Sequence, residues 1–324
     1  MRVPFPRRRR PRAAFITMLL VLALGFAVVL ALQAFGAGQY QKAQAERVLR
    51  DYSAFAAARF ASRSAYNLWY FAFVPAIKTV DHAGARGGHL PGPAQLRPPE
   101  DTFPATFFRT IRYSYEFDTT TKRMQFGGPA PSAAWQRWLA DTIAAALHAL
   151  PPMMEDCAAV LGAPPGEPRA VVVFTLPRAA ARAQTRVLGY VTGVEALTPY
   201  FQYADTAGPL LPRALTGGVA IDSIGSVVVR DARGIPLYQS PVQYASTITG
   251  HDTLGSFVAN LQVDVSLRPE IAGRLVIGGL PRSRLPLLIA VFALTAGLIV
   301  IALFQLGREY DLASLRTDFV SGVS

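Results

Sequence analysis

The sequence predicts an α+β protein in which two transmembrane helices flank a folded domain of mixed helix and sheet. Three observations predict it. Two long apolar runs, one near each end, carry no charged residue. The stretch between them, residues 36–284, is long enough to bury a core of its own. Within that stretch helical spacing comes first and strand alternation later, the order of an α+β architecture rather than of alternating βαβ units.

Composition agrees. Of the 324 residues 51% are apolar and 16% are charged, against roughly 25% charged in an ordinary soluble domain. A disordered regulator is excluded, and an ordinary cytosolic enzyme is disfavoured. The net charge of +11 suggests nucleic acid until it is located. Six of the basic residues, Arg2, Arg7 to Arg10 and Arg12, crowd the first twelve positions, where there is no acid. Arginine outnumbers lysine 29 to 3, a bias of the coding genome rather than a binding surface, and no nucleic-acid partner is expected. Cys157 is the single cysteine, which excludes an intrachain disulfide. A reactive thiol, an intermolecular link and a buried small residue are its alternatives, and its apolar surroundings favour the last.

In order along the chain, residues 1–12 form a basic tail. Residues 13–35 supply the roughly 20 apolar positions a helix needs to cross a bilayer, and residues 285–307 supply a second such run. Pro286 falls in the first turn of the second helix, where a missing N–H does no harm. A cleaved signal peptide is the alternative for the first run, but its length exceeds the 7–15 residues usual for such a core. Arginines beside a span are retained in the cytoplasm. The N-terminus is therefore expected inside, residues 36–284 outside and residues 308–324 inside again, with Arg282 and Arg284 against the trend.

From Gln39 the first helix is expected to continue outward through Val48, Tyr52 and Phe55 and to end near Pro75. Residues 83–104, rich in Gly and Pro, read as loop. The segment IRYSYEFDTTTKRMQF reads as a hairpin with its tip at Thr119 to Lys122. Trp135, Trp138, Leu139, Ile143, Ala146, Leu147 and Leu150 then recur at helical spacing. Ser132 stands as the N-cap, and Pro151-Pro152 as the stop. Glu155 and Asp156 are placed at the N-terminus of a helix beginning near Cys157. Strands follow at 171–176 and 186–194. Residues 226–240 read as two strands around Asp231-Ala232-Arg233-Gly234, and 257–267 as an alternating strand with Leu261, Val263, Val265 and Leu267 on one face.

Chemistry is sparse in this stretch. No phosphate loop, nucleophile elbow or HExxH motif occurs. His82, His89, His148 and His251 have no partner at catalytic or metal-ligand spacing, so no catalytic, cofactor-binding or metal-ligating residue is assigned. The aromatic cluster Tyr66, Trp69, Tyr70, Phe71 and Phe73 has two readings, the lining of a small-molecule pocket or core and dimer packing; packing is favoured. The stretch reads as a binding module with an unidentified ligand.

The strand–Asp-x-x-Gly–strand hairpin at 228–238 resembles those of PAS/Cache-type extracytoplasmic sensor domains. The last residues, REYDLASLRTDFVSGVS, continue off the second span. Leu312, Leu315, Phe319 and Val323 form one helical stripe suited to pairing with a partner helix. Leu315 to Ser324 resembles the opening of the dimerisation and phosphoacceptor domain of bacterial sensor histidine kinases, in which R-x-D-F-V-x-x-V-S leads into His-Glu-Leu-Arg-Thr-Pro. This sequence ends one residue before that histidine. The resemblance implies the N-terminal sensor portion of a two-component kinase in the bacterial inner membrane. It implies a homodimer, with ATP and Mg2+ in a kinase domain beyond these residues and a response regulator as the phosphate acceptor. Residues 308–324 would be the start of the dimerisation helix, joined to the span without an intervening relay domain. A chemoreceptor, a cyclic-dinucleotide enzyme and a two-span envelope binding or scaffold protein are the alternatives.

Overall fold

The computed structural model describes residues 10–87, 89–96, 106–149, 157–175, 186–212, 224–255, 258–268 and 285–322. The protein is mixed α+β, with two antiparallel sheets and several helices. It divides into two units, residues 1–46 with 278–324, and residues 47–277.

The first unit contains the opening part of α1 (Arg10–Leu68) and all of α6 (Leu285–Gly322). Both are long and apolar enough to cross a membrane, and none of the apolar window is buried by protein in either. Phe26, Leu32, Leu294 and Phe304 are among the large side chains left exposed. In water such surface would be costly; in lipid it is the matching solvent, and a helix keeps every backbone group paired there. Helix α6 runs without a break through Arg308 to Gly322, as expected for the segment after the second run. Leu312 is exposed. Leu315 and Phe319 lie on the same helix, and Val323 falls outside the described residues.

The second unit is built around two sheets. The larger has the order β2-β1-β5-β4-β3, with β1 (Ile111–Asp118), β2 (Met124–Gly127), β3 (Cys157–Gly162), β4 (Ala170–Thr175) and β5 (Arg186–Gly193), all neighbours antiparallel. The smaller has the order β7-β6-β9-β8, with β6 (Gly225–Arg230), β7 (Pro236–Gln239), β8 (Thr249–Thr253) and β9 (Gln262–Leu267). Strand β4 is buried along nearly its whole length because its two faces serve two cores. Val171 and Val173 join the cluster that includes the later part of α1, and Val172 and Phe174 pack with Trp135, Leu139 and Ile143 of α4 (Ala133–Ala149). A strand covered on both faces reads as an unbroken apolar run, which AVVVF over residues 170–174 is. The two sheets are joined where the Ala259 N–H donates to the Ala159 carbonyl at 3.1 Å and where Arg169 pairs with Asp231.

Local expectations hold at several points. The Ser132 hydroxyl accepts from the Trp135 N–H at 3.3 Å, capping α4. The β1–β2 tip is an Asx turn, Asp118 accepting from the Thr120 and Thr121 N–H groups. In the β6–β7 hairpin Asp231 accepts from Arg233 and Ile235, and Gly234 supplies a φ of +78°. Cys157 is fully buried.

Other expectations are corrected. The long helix does not end near Pro75. A π turn at Trp69–Phe73 leads into α2 (Val74–Gly87), so helix continues through residues placed in a loop. No helix begins near Cys157: Cys157–Gly162 is strand β3, paired in register with β4, and Glu155 and Asp156 fall outside the described residues. Ala158 and Ala159 have high helical propensity, but between two packed layers their lack of bulk suits a strand, and tertiary context overrides propensity. The strand expected from 257 begins at Gln262, because Ala259 and Asn260 turn the chain with positive φ. Two short helices, α3 (Thr106–Arg109) and α5 (Thr198–Thr206), and strand β8 carry no clear period in the sequence.

Candidate functional site

Within the second unit, an open cleft of about 1060 Å³ runs between α1, the π turn, α2 and the end of β8. Its origin is small side chains. Ala58, Ala61, Ser62 and Ala65 recur at helical spacing along α1 and line it, leaving room where larger residues would fill the groove.

The aromatic cluster singled out in the sequence is divided by the fold. Tyr66, Trp69 and Tyr70 line the cleft. Tyr66 and Tyr70 lie with centroids 4.5 Å apart and tilted by 37°, each 55% exposed. Phe71 is exposed and meets Tyr66 edge-on, whereas Phe73 is fully buried against Phe107. Core packing, the favoured reading, is met by Phe73, whereas Tyr66, Trp69 and Tyr70 line an open cleft.

The π turn has a local cause. Pro75 has no N–H, so the carbonyl of Phe71 loses its usual partner four residues on, and the proline ring crowds that carbonyl. The chain widens just before it, the Val74 N–H reaching back to the Trp69 carbonyl. The Phe71 carbonyl instead accepts from the buried Tyr200 hydroxyl at 3.3 Å. Burial holds the Tyr200 phenol well above its ordinary pKa, so it remains a donor. Single π turns inside helices are frequent at functional sites.

Beyond the turn, α2 contributes Lys78, Thr79 and His82 to the lining. His82 Nδ1 lies 2.7 Å from the Lys78 carbonyl, which can only accept. The neutral imidazole therefore carries its proton on Nδ1 and leaves Nε2 as an acceptor. The Thr79 hydroxyl donates to the Pro75 carbonyl at 2.9 Å. From the smaller sheet, β8 and the residues after it contribute Asp252, Thr253, Leu254 and Gly255. Asp252 Oδ1 accepts from the Thr253 N–H at 2.8 Å. With His82 Nδ1 and the Thr79 hydroxyl both committed to backbone, the lining suits stacking and charge recognition better than acyl or phosphoryl transfer.

The remaining histidines are dispersed. His89 and His148 are exposed. His251 pairs with Asp264 at 2.7 Å, and Asp264 also accepts from Arg230 at 3.2 Å, on the smaller sheet. Sequence reasoning missed this pair because only the β8–β9 register sets the two residues opposite each other. Among the described residues no three His, Cys, Asp or Glu side chains group as a metal site.

A second polar cluster is buried and structural. Asp205 of α5 accepts from the Tyr238 hydroxyl at 2.7 Å and the Ser240 hydroxyl at 3.1 Å. Burial, then Asp205 itself, pushes the Tyr238 phenol up. Arg63 of α1 donates to the Ala204 and Gly208 carbonyls at 2.9 and 3.0 Å, satisfying the C-terminal end of α5. Compared with known proteins, the chain matches no family model and no curated sequence.

Proposed function

We propose that the protein is the sensing part of a two-span sensor histidine kinase in a bacterial inner membrane, with residues 36–284 outside and both flanking segments in the cytoplasm. One observation carries this reading. The helix whose first part is long and apolar enough to cross a membrane is the same helix, α1, whose later residues wall the open cleft. A molecule in the cleft touches an element that continues into a candidate span. The five-stranded antiparallel order with a helix between β2 and β3 is the kind of sheet a PAS/Cache-like domain leads one to expect. The RTDFVSGVS run supports a kinase output over a chemoreceptor, a cyclic-dinucleotide enzyme or a scaffold.

In this reading the cleft's occupant favours one of two arrangements of the helices, which it can do only by binding them with different affinity. The homodimer uses the stripe of Leu312, Leu315, Phe319 and Val323, and ATP, Mg2+ and the response regulator act through a kinase domain beyond it. The test joins the full chain at Ser324, in frame, to the phosphoacceptor and ATP-binding region of a histidine kinase. Membranes carrying the fusion should incorporate phosphate from labelled ATP and pass it to the regulator, and Phe319→Glu should lower incorporation. Correctly inserted fusion with no incorporation, or with incorporation indifferent to Phe319→Glu, overturns the kinase reading.

A further inference from the structure

The cleft's lining has three chemically distinct parts, and together they specify a ligand class; the inference rests on the reading of the cleft as a ligand site. The first part is the ring wall of Tyr66, Trp69 and Tyr70, with both tyrosines more than half exposed beside an alanine-lined groove. Exposed ring faces of this kind gain most from a flat apolar partner. The second is the α2 side, where the Lys78 ammonium makes no ion pair among the described residues and lies one helical turn from His82. The third is Asp252, contributed by β8, whose Oδ1 is occupied by the Thr253 N–H while Oδ2 keeps capacity to accept.

We infer that the cleft binds a small planar aromatic acid that also bears a hydroxyl or amino donor on its ring. The ring stacks on Trp69 and the tyrosines, the carboxylate pairs with Lys78, and the donor bonds to Asp252. A cationic ring is the competing class, since aromatic faces attract cations. It is disfavoured because Lys78 stands beside the same rings and repels it.

Titration calorimetry on the full chain in nanodiscs tests this with 4-hydroxybenzoate, benzoate, 4-hydroxybenzamide and benzyltrimethylammonium. The hydroxy acid should bind best, and its neutral amide roughly tenfold or more weaker, as for loss of a hydrogen bond to a charged group. Lys78→Gln should erase the difference between acid and amide. Asp252→Asn should erase the advantage of the hydroxy acid over benzoate. Trp69→Ala should weaken all ring ligands while Trp69→Phe restores them, which separates stacking from misfolding. No binding of the hydroxy acid at millimolar concentration, tighter binding of the quaternary ammonium, or equal losses for acid and amide in Lys78→Gln overturns the inference. The kinase reading is judged separately, by phosphate incorporation without added ligand. A fusion that incorporates phosphate but ignores these acids loses only the ligand class, and one that binds them without incorporating phosphate loses only the kinase output.

Discussion

The two sheets of the second unit use similar strands for opposite purposes. The five-stranded sheet is covered on both faces, by α4 on one side and by the cluster that includes α1 and α2 on the other. The four-stranded sheet buries one face through Val227, Val229, Val263 and Val265 and leaves Arg230, His251 and Asp264 on the other. Stability is therefore concentrated in the first, and substitutions on the second sheet's outer face should be tolerated. The smaller sheet is also the one whose β8 end lines the cleft, so part of the cleft wall comes from the less fully covered layer.

The largest effect should come from Phe174→Ala, which empties a fully buried position facing α4. A loss of about 3–5 kcal/mol is expected, read as a drop in the urea midpoint of the full chain in detergent. A loss below that of a surface control would break the contrast. Gly250→Ala comes next and probes where the smaller sheet meets α1, because a Cβ there would land on the backbone of Ser53 and Ala54. Backbone cannot step aside as a side chain can, so about 1–3 kcal/mol should be lost.

A pH effect sharpens the comparison. Tyr113, facing α4, has its phenol pushed up to about 12, chiefly by burial, with Glu167 adding to the rise and Arg112 opposing it. A raised pKa favours the neutral phenol in the folded state. Its stabilisation is therefore complete below pH 10 and is lost as pH rises through about 12. Urea midpoints taken across that window should fall, and Tyr113→Phe should flatten part of the fall. The smallest effect is expected for Asp264→Asn on the open face, which removes the partner of Arg230 and His251. Exposed pairs of this kind contribute less than about 1 kcal/mol, so a change as large as that of Gly250→Ala would show that the open face is covered in the native assembly.

What was legible in the sequence follows the same division. Helix α4 and strand β9 have one buried face each and show clean periods, through Trp135, Leu139 and Ile143 and through Val263, Val265 and Leu267. Strand β3 was misread because Cys157, Ala158 and Ala159 are small, and only the two packed layers make a strand of them. Strand β8 was invisible because the residue facing α1 is Gly250, selected for close approach rather than apolarity. Pro75 looked like a stop because a local rule could not anticipate that Tyr200, far along the chain, satisfies the Phe71 carbonyl. The aromatic cluster was legible as a group, but its division into cleft and core was not. Lys78 and Asp252 gave no signal at all, since the fold alone brings them to one cleft.

The π turn also sets the angular phase of everything after it. An unbroken α-helix advances about 100° per residue, so Tyr66 and Lys78 would project about 120° apart around its axis. One extra residue wound into a single turn reduces that separation to about 20°. The meeting of rings and ammonium on one cleft thus depends on a single residue of helical phase. Straightening the turn without shortening the chain would swing the Lys78 and His82 face away from Tyr66, while deleting one residue as it straightens would leave the alignment intact.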